Sequence, residues 1–178
     1  MSRPFFTIGH SDRSLPEFEA LLHEAGVQEV VDIRRLPGSR AHPQFDRDTL
    51  CDALAVDGIG YDYAAALGGR RGRDKGVPDD VNALWRNRSF HNYADYALSD
   101  AFGLALDALI AAGHQRTSTV MCAEAVWWRC HRRIVADYLL ARGETVFHIL
   151  SPGRIEPAQM TEGARPMPDG KVVYPAPA

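Results

Sequence analysis

Two short segments carry the residues best suited to chemistry: Cys122-Ala123-Glu124 and, seven residues past Cys122, Arg129-Cys130-His131-Arg132. Cysteine reacts as its thiolate, a form favoured near a helix N-terminus and cationic side chains. Thr117–Met121 reads as a buried strand that delivers Cys122 at its end. His131 opens a helical pattern with Ile134, Val135, Tyr138 and Leu139 on one side. That layout sets the Cys122 thiol beside free helix N–H groups and Arg129, Arg132 and Arg133. Cys122 is then a nucleophile or redox thiol, with Glu124 or His131 as the acid or base and His10 as a further catalytic candidate.

Ser11, Arg34, Arg40, Arg129 and Arg132 are the candidates for binding substrate, because guanidinium groups suit bidentate recognition of phosphate or carboxylate. Trp128 joins them as a platform for a planar group, as Trp85, Trp127 and Tyr93 could be, although packing is the commoner job for each aromatic. Plain structural readings stand beside these. Cys122 suits a buried strand end, and Arg34 suits an ion pair with Asp32 or Glu124. The leading function is an enzyme acting on a small anionic or nucleotide-like substrate. A first alternative is a Zn or Fe site built from Cys122, Cys130 and His131, although the spacing is not that of a zinc finger. A second is a nucleic-acid-binding or repair-associated module that uses a basic loop and the tryptophans.

The elements that must position these residues follow from periodicity and caps. Phe5–Ile8 reads as a strand running into Gly9-His10-Ser11. Ser14 and Glu17 have the spacing of a capping box, before a helix that Gly26 stops. Glu29–Ile33 reads as a second strand and Tyr61–Tyr63 as a third, with a helix starting after Asp46 between them. Ser89–Leu98, Asp100–Ala112 and His131–Arg142 read as helices, and Thr145–Leu150 as the last strand. Leu67 to Pro78 carries Gly68, Gly69, Gly72 and Gly76 among Arg70, Arg71, Arg73 and Lys75. It reads as a mobile basic loop in which the arginines add little to stability. Residues 154–178 read as an irregular proline-rich tail packed on the surface.

Strands alternating with helices predict one α/β domain of three layers over residues 1–178, a mostly parallel sheet of about five strands covered by helices on both faces. Ligands collect at the carboxyl ends of such strands, where His10, Arg34 and Cys122 all fall. Cys122 and the Cys130–His131 pair are therefore expected to face one pocket.

Several of these segments also resemble known families. Strand, cysteine, loop and helix in that order are similar to the rhodanese and cysteine-phosphatase arrangement. The six residues between Cys122 and Arg129 depart from it, being one too many and containing no glycine. A broader resemblance is to the domain of unknown function 488 family. It is carried by Thr7-Ile8-Gly9-His10-Ser11, Asp32-Ile33-Arg34, Pro37 with Ser39-Arg40, Pro43-Gln44-Phe45, Leu67-Gly68-Gly69, Tyr93-Ala94-Asp95-Tyr96, and Cys122-Ala123-Glu124 with Trp128-Arg129-Cys130-His131-Arg132. The resemblance spans roughly residues 5–153 and implies an α/β domain with a shared pocket.

Composition narrows the classes. The 178 residues are 46% hydrophobic and 24% charged, a globular mixture large enough to bury a core without staples. A net charge of −3 disfavours a general polyanion binder while leaving room for a local anion site. Three cysteines, an odd number, argue against a disulfide framework and for a reducing compartment, with cytoplasm the expected location. No apolar run approaches the ~20 residues of a membrane span, so no membrane partner is expected.

Overall fold

The computed structural model describes residues 2–178. Eight strands and five α-helices follow in the order β1 (Phe5–Gly9), α1 (Leu15–Ala25), β2 (Glu29–Asp32), α2 (Arg47–Val56), β3 (Gly60–Tyr63), α3 (Arg88–Tyr96), α4 (Asp100–Gln115), β4 (Ser118–Cys122), α5 (Arg132–Ala141), β5 (Val146–Ser151), β6 (Arg154–Pro157), β7 (Arg165–Pro166) and β8 (Val172–Val173). Six strands form one sheet in the order β3-β2-β4-β1-β5-β6. The first five are parallel, and β6 closes the edge antiparallel to β5.

Side chains alternate across a strand, and here the alternation feeds two cores. Phe6, Ile8, Val30 and Met121 point to the layer of α1 and α2, where they meet Phe18, Leu22, Leu50 and Leu54. Phe5, Val31, Val120 and Cys122 point the other way, to Tyr93, Phe102, Leu106, Ile134 and Tyr138 of α3, α4 and α5. This is the three-layer α/β arrangement, with helices on both faces. Ser14 caps α1 as its spacing predicts, accepting from the Glu17 amide at 3.2 Å while Glu17 reaches back to the Ser14 amide. Gly26 ends that helix at φ 71°, a left-handed conformation that costs glycine little.

β1 and β4 are neighbours, but the chain leaves β1 for α1 on one face and β4 for α5 on the other. Diverging connections open a crevice at the carboxyl ends of such a pair. His10 and Cys122 stand at those two ends. No single helix among the described residues is long and apolar enough to cross a membrane.

Two regions differ from the sequence reading. Where proline content predicts an irregular tail, residues 154–178 add β6 to the sheet and fold back as the β7–β8 ribbon. The order comes from single anchors rather than an apolar run. Tyr174 is fully buried and donates to Asp137, the Tyr174 amide donates to Asn82, and Tyr138 donates to the Val172 carbonyl. Within the basic loop, residues 67–71 are docked. Arg71 donates to the carbonyls of Ala65 (2.7 Å) and Gly68 (3.0 Å) and lies 3.9 Å over the Tyr96 ring. Four glycines hide this, because the anchoring groups are carbonyls and an aromatic face.

Candidate functional site

An open cleft of about 850 Å³ occupies the crevice. Its walls include His10, Ser11, Arg34, Cys122, Glu124, Arg129, Cys130 and His131, so eight of the residues singled out in the sequence meet there. The backbone builds the floor. Past β1 the amides of His10 and Ser11 donate to the carbonyls of Cys122 (2.9 Å) and Ala123 (3.0 Å), extending the parallel pairing into the loop. The loop then crosses over Gly9 so closely that a Cβ there would lie 1.8 Å from the Glu124 carbonyl oxygen. Only glycine fits. Ser11 adopts φ 49° and Arg70 φ 54°, and both line the cleft. Strained non-glycine backbone of this kind gathers at functional sites.

The two sulfurs meet at the floor. Cys130 Sγ donates to Cys122 Sγ at 2.7 Å, longer than the ~2.05 Å of a disulfide bond, and both cysteines are free. Burial pushes the Cys122 thiol up, but the Cys130 hydrogen bond and the Arg132 guanidinium more than offset this, leaving it below the usual thiol value. Burial and the neighbouring Cys122 push Cys130 well above it. Of the two, Cys122 is the sulfur that gives up its proton first, and Cys130 the one that keeps it.

Arg132 stabilises negative charge on the Cys122 sulfur from inside rather than from the cleft. It is fully buried and donates through Nη2 to the Glu124 (3.0 Å) and Ala125 (2.9 Å) carbonyls. The loop therefore turns carbonyls inward, the reverse of a phosphatase amide cradle. The anion-clamp role expected of Arg132 is corrected by this burial: α5 starts at Arg132 and aims it at the core, while the short 3₁₀ turn Trp127–Arg129 leaves Arg129 exposed at the cleft. Arg34 is likewise committed. Its Nε and Nη2 grip the buried Asp32 carboxylate at 2.7 to 3.1 Å, and Nη1 donates to the Phe45 carbonyl. Arg40 is exposed and Trp128 is 46% exposed, and neither is among the cleft residues.

Both candidate histidines are held neutral. His10 stacks on Phe45 at 4.4 Å, and burial depresses it to about 4. Its Nδ1–H donates to the Ser11 carbonyl at 2.9 Å, which leaves Nε2 facing Arg34 at 3.4 Å. His131 donates from Nε2 to the Ile33 carbonyl at 2.7 Å, so its Nδ1 lone pair faces Cys130 Sγ at 3.5 Å. Burial depresses it also to about 4. Gly69 permits this placement, since a Cβ there would come within 2.8 Å of His131 Nδ1. Among the described residues, no group of three or more His, Cys, Asp or Glu side chains is arranged to hold a metal ion.

The cleft also holds Arg35, Leu36 and Phe90, which the sequence did not mark, and Arg70 from the basic loop. Arg35 and Arg70 stand at its rim with Arg129, all three exposed and none in an ion pair among the described residues. Phe90 and Leu36 add apolar wall. Arg35 had a signal in its adjacency to Arg34, whereas Phe90 lies in a helix with no mark of function.

A family comparison matches the chain from residue 14 to residue 139, more than half of its 178 residues. The chain belongs to the DUF488 family, a domain of unknown function. The match takes in the Cys122–Arg132 segment and leaves His10 and the β6–β8 tail of this DUF488 protein outside it. Comparison with curated proteins and with solved structures finds no match.

Proposed function

We propose that the cleft of this DUF488 protein is the active site of a thiol-dependent enzyme acting on a small anionic or nucleotide-like substrate. The carrying observation is the placement of Cys122 at the floor of an open cleft, its thiolate favoured by Arg132 beneath and Cys130 beside it. Cys122 is the nucleophile. Arg35, Arg70 and Arg129 at the rim meet the anionic group, and Phe90 and Leu36 pack against its uncharged part. Glu124 lines the same cleft in an exposed position and is the acid or base. His10 and His131, neutral and hydrogen-bonded to backbone, position the floor instead of exchanging protons with the substrate.

Charge-selective alkylation tests the reading without a known substrate. Iodoacetate and iodoacetamide differ in charge and little in size. Cys122 is expected to react with iodoacetate at least as fast as with iodoacetamide. Combining Arg70→Ala with Arg129→Ala should slow the iodoacetate reaction several-fold and leave iodoacetamide unaffected. If Cys122 prefers iodoacetamide in the parent and the double variant alike, the anion-binding assignment is wrong.

A further inference from the structure

A nucleophilic cysteine in a substrate cleft needs no second thiol, yet here one touches it. Cys130 Sγ lies 2.7 Å from Cys122 Sγ, across an eight-residue separation that a strand end and a 3₁₀ turn fold into contact. Any group that Cys122 accepts stands within reach of Cys130. A sulfenic acid on Cys122 would therefore be captured before water or a second oxidant reached it, because sulfenic acids condense with a neighbouring thiol. Cys122 is 2% exposed and Cys130 6% exposed, at the base of the cleft. Burial of that depth bars a protein disulfide and admits a small oxidant.

We propose that Cys122 and Cys130 form a dithiol pair that reduces a small hydroperoxide, with Cys130 the resolving thiol. The inference rests on the reading of Cys122 as the cleft's reacting sulfur. In the first step the Cys122 thiolate attacks the terminal hydroperoxide oxygen. An S–O bond forms, the O–O bond breaks, and the alkoxide leaves to take a proton from solvent. In the second step Cys130 sulfur attacks Cys122 sulfur. The S–S bond forms, the S–O bond breaks, and the sulfenic hydroxyl departs with the Cys130 proton as water. The hydroperoxide gains two electrons and the two thiols lose them. A small external dithiol returns the pair to its reduced form by exchange.

The two sulfurs already touch, so closure needs only a short approach. Arg132 holds the geometry from both sides: its amide meets Cys130 Sγ at 3.5 Å, and its guanidinium grips the carbonyl against which Cys122 Sγ rests. Cys51 sits in α2, in the layer on the other face of the sheet, and takes no part.

Reduced protein is treated with one equivalent of hydrogen peroxide, then unfolded for thiol titration and peptide mapping. Titratable thiols should fall from three to one, with Cys122 and Cys130 in one disulfide-linked peptide that dithiothreitol opens. In Cys130→Ser the sulfenic acid should persist on Cys122 and be trapped by dimedone. In Cys122→Ser neither product should form. Three thiols remaining in the parent, or a disulfide that involves Cys51, overturns the inference. If Cys122 still alkylates with the expected charge preference while no disulfide forms, the dithiol chemistry fails and the thiol site stands. If Cys122 resists alkylation and peroxide alike, both fail.

Discussion

Replacing Arg132 with methionine removes the buried charge beneath Cys122 and keeps most of the side chain's bulk. Cys122 Sγ and Arg132 Nη2 both rest on the Glu124 carbonyl oxygen, at 3.5 and 3.0 Å, so they lie at most about 6.5 Å apart. Unit charges at that separation attract by about 2.5 kcal/mol at an effective dielectric of about 20. Losing that attraction lowers the thiolate-to-thiol ratio by about sixtyfold, at about 1.4 kcal/mol per tenfold. A more basic thiolate is also the better nucleophile, which recovers a little under half of the effect on a logarithmic scale. The net expectation is an iodoacetamide reaction of Cys122 about tenfold slower near neutral pH. Peptide-resolved mass spectrometry over a time course reads the rate, with Cys51 as the internal standard. Arg132→Lys, which keeps a charge, should recover part of the loss. An unchanged or faster Cys122 rate in a folded Arg132→Met protein would refute the electrostatic account of the thiol.

Gly9→Ala forces a Cβ into the Glu124 carbonyl and should cost roughly 1–3 kcal/mol in denaturant unfolding while altering Cys122 labelling, whereas Gly72→Ala, with open space around it, should do neither. Arg71→Ala should destabilise by roughly 1–3 kcal/mol through its two carbonyl bonds and the Tyr96 contact, and Arg73→Ala, whose ion pair is exposed, by no more than about 0.5 kcal/mol. Equal effects of the two would contradict the docked loop. His131 is depressed from 6.5 to about 4, so between those values the unfolded chain binds more protons and stability rises with pH. Acidification across that window should remove about 3 kcal/mol on account of His131 alone. Denaturant melts at several pH values should show the slope, and His131→Gln should reduce it by that share, leaving what the similarly depressed His10 and His148 contribute.

What the sequence made legible was local. The Ser14–Glu17 capping box, the apolar run into Cys122 and the strand end at Asp32-Ile33-Arg34 each announce themselves within a few residues, because caps and buried strands have short-range rules. Alternating elements then place their ends on one edge of the sheet. Orientation was not legible. Among Arg129, Arg132 and Arg133, nothing in the order of residues says that the 3₁₀ turn frees the first for the cleft while the helix start buries the second. Arg34 was readable either as a ligand group or as half of an ion pair, and only the buried Asp32 beside it decides. The contact of Gly9 with Glu124, the wedge of Gly69 under His131 and the arrival of Arg70 and Phe90 at the cleft join residues far apart in the chain. The tail was hidden for a related reason, since Tyr174 and Asp137 act as single anchors that composition averages away.

The pH profile of Cys122 alkylation in the reduced protein tests the central claim most directly. The rate constant for iodoacetamide is followed for the Cys122 peptide from acid to alkaline pH and fitted for its inflection. Arg132 beneath the sulfur and the hydrogen bond from Cys130 predict an inflection below that of an unperturbed cysteine. An inflection at or above that value would mean that burial prevails at Cys122, and the cleft would then have no thiolate at its floor.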